Sequence, residues 1–448
     1  MKGFIDTLRN IWKIEELRNR ILYTLGMLLV FRLGSFIVLP GIDAEVYRAV
    51  IGSSGGGGLV GLINLFSGGG FNNASIFALG IMPYISASIA VQLLTFAVPY
   101  FQKLQKEGES GRRQLNQITR YLTVIVTVFQ ASGYYVYLKS LQSGMDGAQF
   151  IMLDPTLFWV TAVVVLTAGT LFCMWLGEKI TDRGIGNGIS LLIMIGIVAG
   201  LPGGLIAEFG LREQAGQIMS FVLELVFLVI IVMASVALVQ GVRRIPVQYA
   251  KQMRGNRMVV GHRQYIPIKV NAAGVMPIIF AQALMFIPGF FQQMMPESQS
   301  SVLALLNDYT SWPYNLIYFF LVVIFTYFYT AITVNPVQIA DDLKRNGGFI
   351  PGVKPGRRTA EFLDNILSRV TLPGSIFLGL IAIMPAFAGS FGISQSFALF
   401  FGGTSLLIIV GVVLDTLQQI ESHLLMRHYD GLMKTGRIKG RAGAGATV

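Results

Sequence analysis

Apolar stretches of about 20 residues recur along the whole chain, and a helix of that length is long enough to cross the hydrocarbon core of a bilayer. Only 13% of the 448 residues are charged, whereas soluble domains contain roughly 25%. The sequence therefore predicts an all-α polytopic membrane protein with ten transmembrane helices. We place the spans at 21–39, 76–97, 121–138, 155–177, 188–206, 218–240, 271–290, 314–334, 372–390 and 398–418.

Lysine and arginine residues are distributed unequally between alternate loops. Thirty of the 34 lie in the N-terminal segment, the C-terminal tail and the loops after spans 2, 4, 6 and 8. The other loops hold three, and Arg32 lies inside span 1. Basic residues accumulate in cytoplasmic loops, so both termini are predicted to be cytoplasmic. The run from Ile21 lacks a small-x-small cleavage site, and we interpret it as a retained span rather than a signal peptide.

Two spans carry the same proline-containing motif. Residues 80–87 read GIMPYISA and residues 274–281 read GVMPIIFA, which agree at five of eight positions. The motifs lie five spans apart, so they divide the chain into five-helix halves at 21–206 and 218–418, joined by an external hinge loop at 207–217. An odd number of spans in each half requires inverted halves, and such repeats place a pathway at their interface. A chance match between apolar sequences is the alternative.

A short apolar segment at 62–74, LINLFSGGGFNNA, precedes span 2 and is interrupted by glycine and asparagine. Irregular backbone at membrane depth is tolerated only where protein or a water-filled cavity covers it. We therefore expect a re-entrant half-helix inside the molecule, on the external side of span 2. The segment has no charged residue, which suits a small movable stopper. A half-helix lying on the outer surface is the alternative.

Sequence motifs for catalysis, metal binding and nucleotide binding are missing. No GxxxxGK[ST] phosphate loop occurs, and GIGNG at 184–188 follows a turn rather than a strand, so we interpret it as a tight turn and a helix start. The chain has one cysteine, and its three histidines all lie in predicted cytoplasmic segments. We therefore expect no enzyme activity, no catalytic or metal-binding residues and no cofactor.

Charged residues inside the spans are limited to Arg32, Glu224 and Asp415. Intramembrane charges suggest function by default, but pairing with neighbouring helices or reaching the interface explains these three more simply. An ion-coupled transporter would be expected to show more of them. The spans carry neutral polar residues such as Gln92 and Gln282 instead, which suit helix contacts that open and close, although static packing is the commoner explanation.

Two long basic loops separate spans of the second half. The loop 241–270 has seven basic residues and no acidic one, and the alternation in 257–270, RMVVGHRQYIPIKV, predicts a β-hairpin. The loop 335–371 adds six basic residues. The ordinary positive-inside bias and anionic lipids account for the charge alone, but they do not require loops of this length. A docking surface for a large anionic partner such as RNA fits better.

Several longer motifs carry a specific resemblance. They read SIFALGIMPYISASI (75–89), KEGESGRR (106–113), MWLGEKITDRGIGNGIS (174–190), RRIPVQYAK (243–251), KVNAAGVMP (269–277), GGFIPG (347–352) and FGGTSLLI (401–408). Together they resemble the SecY/Sec61-alpha family, the central channel subunit of the Sec protein translocon. The resemblance extends from about residue 20 to about residue 440.

The resemblance implies a clamshell of two inverted halves around an hourglass pore in the cytoplasmic (inner) membrane. Such a channel passes unfolded polypeptides and releases apolar segments sideways into the bilayer. The implied pore ring is Ile81, Ile85, Ile193, Ile279 and Ile408. The implied plug is Leu62, Ile63, Asn64, Leu65, Phe66, Ser67, Gly68, Gly69, Gly70 and Phe71. The implied lateral gate includes Ser86, Gln92, Asn271 and Ile287.

The implied partners are SecE, SecG, the ATPase SecA, the translating ribosome with its RNA, secretory polypeptides and additional translocon-associated subunits, while anionic lipids are expected at the basic face. The implied docking residues are Arg243, Arg244, Arg254, Arg257, Lys344, Lys354, Arg357 and Arg358. The family usually has arginine at the position of Lys354; lysine keeps the charge but loses the bidentate fork.

Two other functions remain open from the residues alone. A secondary transporter of a small solute is also built from inverted repeats, but it needs polar ligands at the pathway centre, where this chain has isoleucines. A membrane scaffold that only anchors ribosomes would need neither ring nor plug. At the ends of the chain, we predict an interfacial helix at 1–20 and a cytoplasmic tail at 419–448.

Overall fold

The computed structural model describes residues 14–53, 59–143, 149–249, 252–254, 257–259, 263–285 and 311–434. The first helices are α1 Glu15–Gly34, α2 Ala44–Ser53, α3 Leu59–Phe66, α4 Met82–Ala97, α5 Pro99–Lys106, α6 Glu109–Ser143, α7 Pro155–Arg183 and α8 Gly188–Gln214. They are followed by α9 Ile218–Gln240, α10 Met276–Met285, α11 Trp312–Thr333, α12 Pro336–Arg345, α13 Arg357–Ser390, α14 Gln395–Ala398 and α15 Gly403–Lys434. The strands are β1 Val242–Tyr249, β2 Gln252–Arg254, β3 Arg257–Val259, β4 Arg263–Lys269 and β5 Gly348–Phe349.

The helices account for the predicted spans. Within the described residues, seven segments are long and apolar enough to cross a membrane, namely α6, α7, α8, α9, α11 with α12, α13 and α15. Helices α4 and α5 form an eighth if the 100° bend between them belongs to one span. The predicted spans 21–39 and 271–290 contain α1 and α10, of 20 and 10 residues. Each predicted span therefore contains a helix, and the all-α membrane fold class is confirmed.

The repeated proline motif forms the same local structure twice. Helix α4 begins one residue before Pro83, and α10 begins one residue before Pro277. A missing N–H costs nothing in the first turn of a helix, so these prolines start helices rather than interrupt them. Gly80 and Gly274 both have positive φ, 52° and 66°, which only glycine adopts freely. Residues 76–81 form a turn, so the predicted span 2 becomes helical later than expected.

Several predicted loops are shorter in the structure because the helices continue beyond their apolar parts. The hinge loop 207–217 is reduced to 215–217, since α8 continues to Gln214. The loop 335–371 contains α12, β5 and the first turns of α13. Helix α15 occupies the predicted tail as far as Lys434, and α1 already begins at Glu15. Residues 1–13 of the predicted interfacial helix lie outside the described residues.

The largest cluster of buried apolar side chains, here called the central core, joins the two halves. Helices α1, α3, α4, α7 and α8 contribute to it from the first half, and α9, α10, α11, α13 and α15 contribute from the second. A smaller core in the first half packs α2 against α6 and α7, with Tyr47 and Phe150 in edge-to-face contact at 5.3 Å. The halves therefore share one interior.

The two long basic loops fold together into one unit, here called the loop domain. Strand β1 pairs with β4 in an antiparallel hairpin, with Val242 opposite Lys269, so the loop forms a hairpin as predicted. The predicted position was wrong, because residues 257–259 pair with β2 and residues 263–269 pair with β1 rather than with each other. Its other edge pairs with β5 from the second loop, in the order β4-β1-β5. Ile245 of β1 and Leu343 and Leu363 of the second loop are buried in a core that belongs to this unit alone. The basic side chains of both loops are therefore held on one support.

An ionic cluster connects α8, α9 and the turn after α13 beside the short connection between the halves. Arg212 lies 3.0 Å from Glu208 and 2.7 Å from Glu224, and it donates to the carbonyl of Gly392 at 3.0 Å. Glu208, which is 1% exposed, also accepts from the N–H of Ser394 at 2.9 Å. Buried charges are tolerated only with such pairing. The intramembrane carboxylate predicted at Glu224 therefore has a structural role.

Replacing Arg212 by methionine should lower the free energy of unfolding by about 3–5 kcal/mol, because two buried carboxylates lose their counter-ion. Denaturant unfolding of the detergent-solubilised protein measures this. The control is Arg113→Met, since the side chains of the Arg113–Glu109 pair, 2.8 Å apart, are 78% and 82% exposed and such pairs contribute about 0.5 kcal/mol or less. Equal losses in both variants would contradict the role assigned to the cluster.

Candidate pore, plug and gate

The five isoleucines predicted as a pore ring come from distant parts of the sequence, and all of them belong to the central core or pack against it. Ile81 precedes α4 and Ile85 lies on its first turn, while Ile193, Ile279 and Ile408 lie on α8, α10 and α15. Ile81, Ile193 and Ile408 are 4%, 6% and 3% exposed, and Ile85 and Ile279 pack partly buried against the same core. Both halves therefore contribute predicted ring residues to the central core that joins them.

The segment predicted as a plug lies inside the molecule rather than on its surface. It consists of α3, which begins at Leu59 rather than at 62, followed by a compact series of turns. The side chains of Leu65, Phe66, Ser67 and Phe71 are buried, whereas that of Leu62 lies outside the described residues. The predicted half-helix is thus present, within the bundle.

Side-chain hydrogen bonds fix the turns that follow α3. Asn64 accepts from the N–H of Asn72 at 2.9 Å, and the Ser67 hydroxyl accepts from the N–H of Phe71 at 3.0 Å. Asparagine and serine side chains commonly replace a backbone partner in this way. The polar residues that interrupt the apolar segment therefore provide internal partners for its irregular backbone.

Two tyrosines hold the far end of the segment. The hydroxyl groups of Tyr134 on α6 and Tyr47 on α2 both donate to the carbonyl of Phe71, at 2.9 and 3.4 Å. Burial raises the pKa of Tyr47 well above its ordinary value, so its phenol remains a donor at neutral pH. Sequence reasoning missed both tyrosines, because tyrosine in an apolar stretch gives no sign of its partner.

Of the predicted gate residues, Gln92 lies at the seam between α4 and the second half. Gln92 on α4 accepts a short hydrogen bond from the hydroxyl of Tyr329 on α11, a direct link across the seam. A cavity of about 810 Å³ opens beside this pair, between α4, α6 and α11. Ser86 donates within its own helix, and the Asn271 side chain is buried with an unpaired carbonyl oxygen. Ile287 lies outside the described residues.

Most predicted docking residues lie on the loop domain with exposed side chains. The exposed ones are Arg243, Arg244, Lys344, Lys354, Arg357 and Arg358. Arg254 and Arg257 stand opposite each other in the β2–β3 hairpin, and their side chains lie outside the described set. Because β1 and β5 share a sheet, cations from both loops are grouped on one body.

The GIGNG turn at 184–188 forms the predicted tight turn and helix start. Asn187 caps α8 by accepting from the N–H of Ile189 at 3.1 Å. The turn also contacts the second half, since the N–H of Gly186 donates to the side-chain oxygen of Gln419 at 2.8 Å. A glycine is required at 186, where φ is 81°. The motif therefore links α8 to α15.

A match to a protein-family model identifies the family to which this chain belongs. The model for SecY matches residues 75–417, which include the isoleucines, the gate helices and the loop domain. The chain belongs to the SecY family.

Curated relatives extend this match to nearly the whole chain. The protein translocase subunit SecY of Streptomyces coelicolor is 46% identical over 435 residues, covering 94% of this chain and 98% of that protein. The same subunit of Mycobacterium tuberculosis is 44% identical over 452 residues, covering 97% and 100%.

Solved structures share the fold at lower identity. A structure described as a protein conducting channel has a TM-score of 0.61 and 18% identity, covering 90% of this chain and 92% of that one. Sec61 in the canine ribosome-channel complex has a TM-score of 0.57 and 16% identity, with the same coverage. The SecY-family fold is therefore present across the described bundle.

The Gln92–Tyr329 contact predicts that cysteines at these two positions are joined by a short bifunctional maleimide. The pair is placed in a Cys173→Ser background, because Cys173 is the only cysteine. The control pairs Leu93→Cys with Tyr329→Cys, since Leu93 is 38% exposed on another face of α4. We expect severalfold more crosslinked product for the first pair on denaturing gels. Equal yields would show that α4 and α11 do not meet in this register.

Proposed function

We propose that the chain is the central channel subunit of a protein translocon in the cytoplasmic membrane. It passes unfolded polypeptides across the bilayer and releases apolar segments sideways into lipid. The observation that supports this proposal is that five isoleucines from both halves belong to the central core or pack against it, together with the buried Leu65 and Phe66 of a segment that can act as a plug. The loop domain and both termini face the cytoplasm in this proposal, as the distribution of basic residues predicts.

A ring of isoleucines suits a pore that must close around many different polypeptides. Apolar constrictions lose their water when narrow, so they block ions without a rigid lid. Ile81, Ile85, Ile193, Ile279 and Ile408 have no hydrogen-bonding side-chain groups, so the ring selects no particular sequence. A solute transporter needs polar ligands at its centre, and the residues proposed for this ring supply none.

The seam between α4 and the second half suits lateral release. A passing segment of about 20 apolar residues gains transfer free energy in lipid, by roughly 0.3–0.6 kcal/mol for each leucine or isoleucine near the centre. Gln92 and Tyr329 join the seam by a neutral hydrogen bond, which can be exchanged for others when the helices separate. Polar segments gain nothing in lipid and continue through the pore once the plug has moved.

The loop domain is proposed as the docking site for partners that supply energy. The sequence has no phosphate loop, so the driving force comes from outside the chain, from an ATPase such as SecA or from the translating ribosome. Clustered exposed cations bind RNA phosphates and acidic protein surfaces. SecE and SecG are the proposed membrane partners, together with anionic lipids at the cytoplasmic face.

The seal proposed for the isoleucine ring is tested by Ile85→Ser with Ile193→Ser. Hydroxyl groups at these positions keep water in the constriction, so we expect at least a tenfold rise in resting ion flux. Flux is measured in vesicles reconstituted with the purified complex. The control is Ile206→Ser, because Ile206 is 73% exposed on α8 and outside the central core. Unchanged flux in the double variant would favour the scaffold function.

The docking proposal is tested by charge reversal on β1, with Arg243→Glu and Arg244→Glu. Ribosome binding should weaken at least tenfold, and its logarithmic salt dependence should fall by about 0.7 for each lost phosphate contact. The matched control is Arg112→Glu with Arg113→Glu, a pair of exposed cations on α6. Equal weakening in both double variants would mean that net charge, rather than the loop domain, determines binding.

A further inference from the structure

We propose that Arg32 is the latch that keeps the plug closed and that Gly196 is the seat on which the plug rests. The inference depends on the proposed function, in which residues 62–74 form the plug. It assigns a positioning role to the one arginine inside a predicted span, for which pairing with a neighbouring helix was the expected explanation.

Arg32 lies in the last turn of α1 and reaches directly to the plug. Its Nη1 donates to the carbonyl of Gly68 at 2.6 Å, and its Cζ lies 5.3 Å from the ring centre of Phe36. It forms no ion pair with a carboxylate of the described residues. An intramembrane arginine is costly without a partner, and here the partner is a carbonyl of the plug. The charge is therefore tied to the plug's position.

The Gly68 carbonyl is a suitable acceptor because it follows the C-terminal end of α3. The N–H groups of Ser67 and Gly68 turn back to the carbonyls of Ile63 and Leu65, at 3.0 and 3.2 Å, and close the helix. Carbonyl groups at a helix C-terminus carry partial negative charge and favour a nearby cation. Hydrogen bonds from a charged donor are about twice as strong as neutral ones. Arg32 therefore makes the strongest single polar contact to this end of the plug.

Gly196 on α8 allows the plug backbone to approach within contact distance. A Cβ on Gly68 would lie 2.9 Å from the Cα of Gly196, and a Cβ on Gly196 would lie 3.1 Å from the Gly68 nitrogen. The first distance is shorter than real Cβ contacts, and the second would require the plug backbone to shift by a few tenths of an ångström. Gly68 also has a φ of 66°, which excludes most other residues. The contact between the two glycines is apolar and close, and it can part without exposing a charge.

The Gly196 contact and the Arg32 hydrogen bond have different roles in keeping the plug closed. The contact with Gly196 determines where the plug lies. Separating the two glycines costs little free energy, because the separation leaves no polar group without a partner. The Arg32 bond determines whether the plug stays, because its rupture leaves a guanidinium inside the bundle until water or a passing polypeptide solvates it. At rest the Gly68 carbonyl is the partner of Arg32, and a polar group of a passing polypeptide can replace it. This exchange explains both why the plug stays closed at rest and why a substrate can open it.

The experiment measures plug position through the reactivity of one cysteine. Leu65 on α3 is 8% exposed, so Leu65→Cys in a Cys173→Ser background should react slowly with a small maleimide in membranes that contain the full complex. Arg32→Met should raise the labelling rate at least tenfold. Arg32→Lys keeps a charged donor, and it should restore much of the protection.

A second pair of variants tests the seat without removing a charge. Gly196→Ala should also raise the labelling rate, because the methyl group displaces the plug backbone. Gly203→Ala on the same helix is the control, since a Cβ there meets nothing within 4 Å. The two glycine variants still test the proposal if the Arg32→Met protein does not reach a normal level in the membrane.

Unchanged labelling in Arg32→Met, at a normal membrane level, would overturn the latch. Equal rates for Arg32→Met and Arg32→Lys would overturn the role of the charged donor. If Gly196→Ala and Gly203→Ala gave the same labelling rate, the role assigned to Gly196 would be wrong. Labelling does not depend on conduction, so failure of the channel proposal is seen separately, as unchanged ion flux in the Ile85 and Ile193 variants.

Discussion

Backbone groups that leave helical geometry at membrane depth must find partners within the protein, because lipid offers no hydrogen bonds. Residues 67–81 are non-helical, and residues 37–39, which follow α1, provide partners for part of their backbone. The N–H of Leu39 donates to Ala74 at 2.8 Å, and the N–H of Ile76 donates to Ile37 at 2.9 Å. Such a segment can exist only between other helices. Its apolar side chains are divided between the core of the first half, which includes Phe71 and Ala78, and the central core, which includes Phe77 and Ile81.

The same requirement explains why the gate helices begin as they do. Both α4 and α10 start at a Gly-x-Met-Pro motif, in which a left-handed glycine turns the chain and proline removes a donor that would have no partner. A helix can thus begin partway through the bundle without an unpaired N–H at that position. Ile85 and Ile279, two residues after each proline, consequently take equivalent places in the two halves.

The sequence alone predicted the features that arise from length, period and repetition. Apolar length placed a helix in each predicted span, the repeat placed Ile85 and Ile279 at equivalent positions of the two halves, and alternation indicated a β-hairpin in the first basic loop. The sequence alone did not predict features that depend on a partner residue from another helix. Helix α8 continues to Gln214, where Arg212 pairs with Glu208 at i,i+4 spacing on its own helix and with Glu224 on α9; the second contact has no local pattern in the sequence. Tyr329 is similar, since its role across the seam follows only from the position of Gln92. A site formed by one helix or strand can be predicted from sequence, whereas a site formed by contacts between two elements cannot.

The two sides of the interface between the halves are held with unequal strength. On one side, α8 meets the second half at both ends, through the buried charges around Arg212 and through Gly186, which donates to Gln419 at 2.8 Å. On the other side, the described contact across the seam is the neutral Gln92–Tyr329 hydrogen bond. Interhelical bonds of that kind contribute roughly 0.6–1.7 kcal/mol, whereas breaking a buried ion pair costs about 3–5 kcal/mol. In the proposed channel we therefore expect the halves to separate first at the α4–α11 seam, with the α8 side as the axis, so that the opening faces lipid.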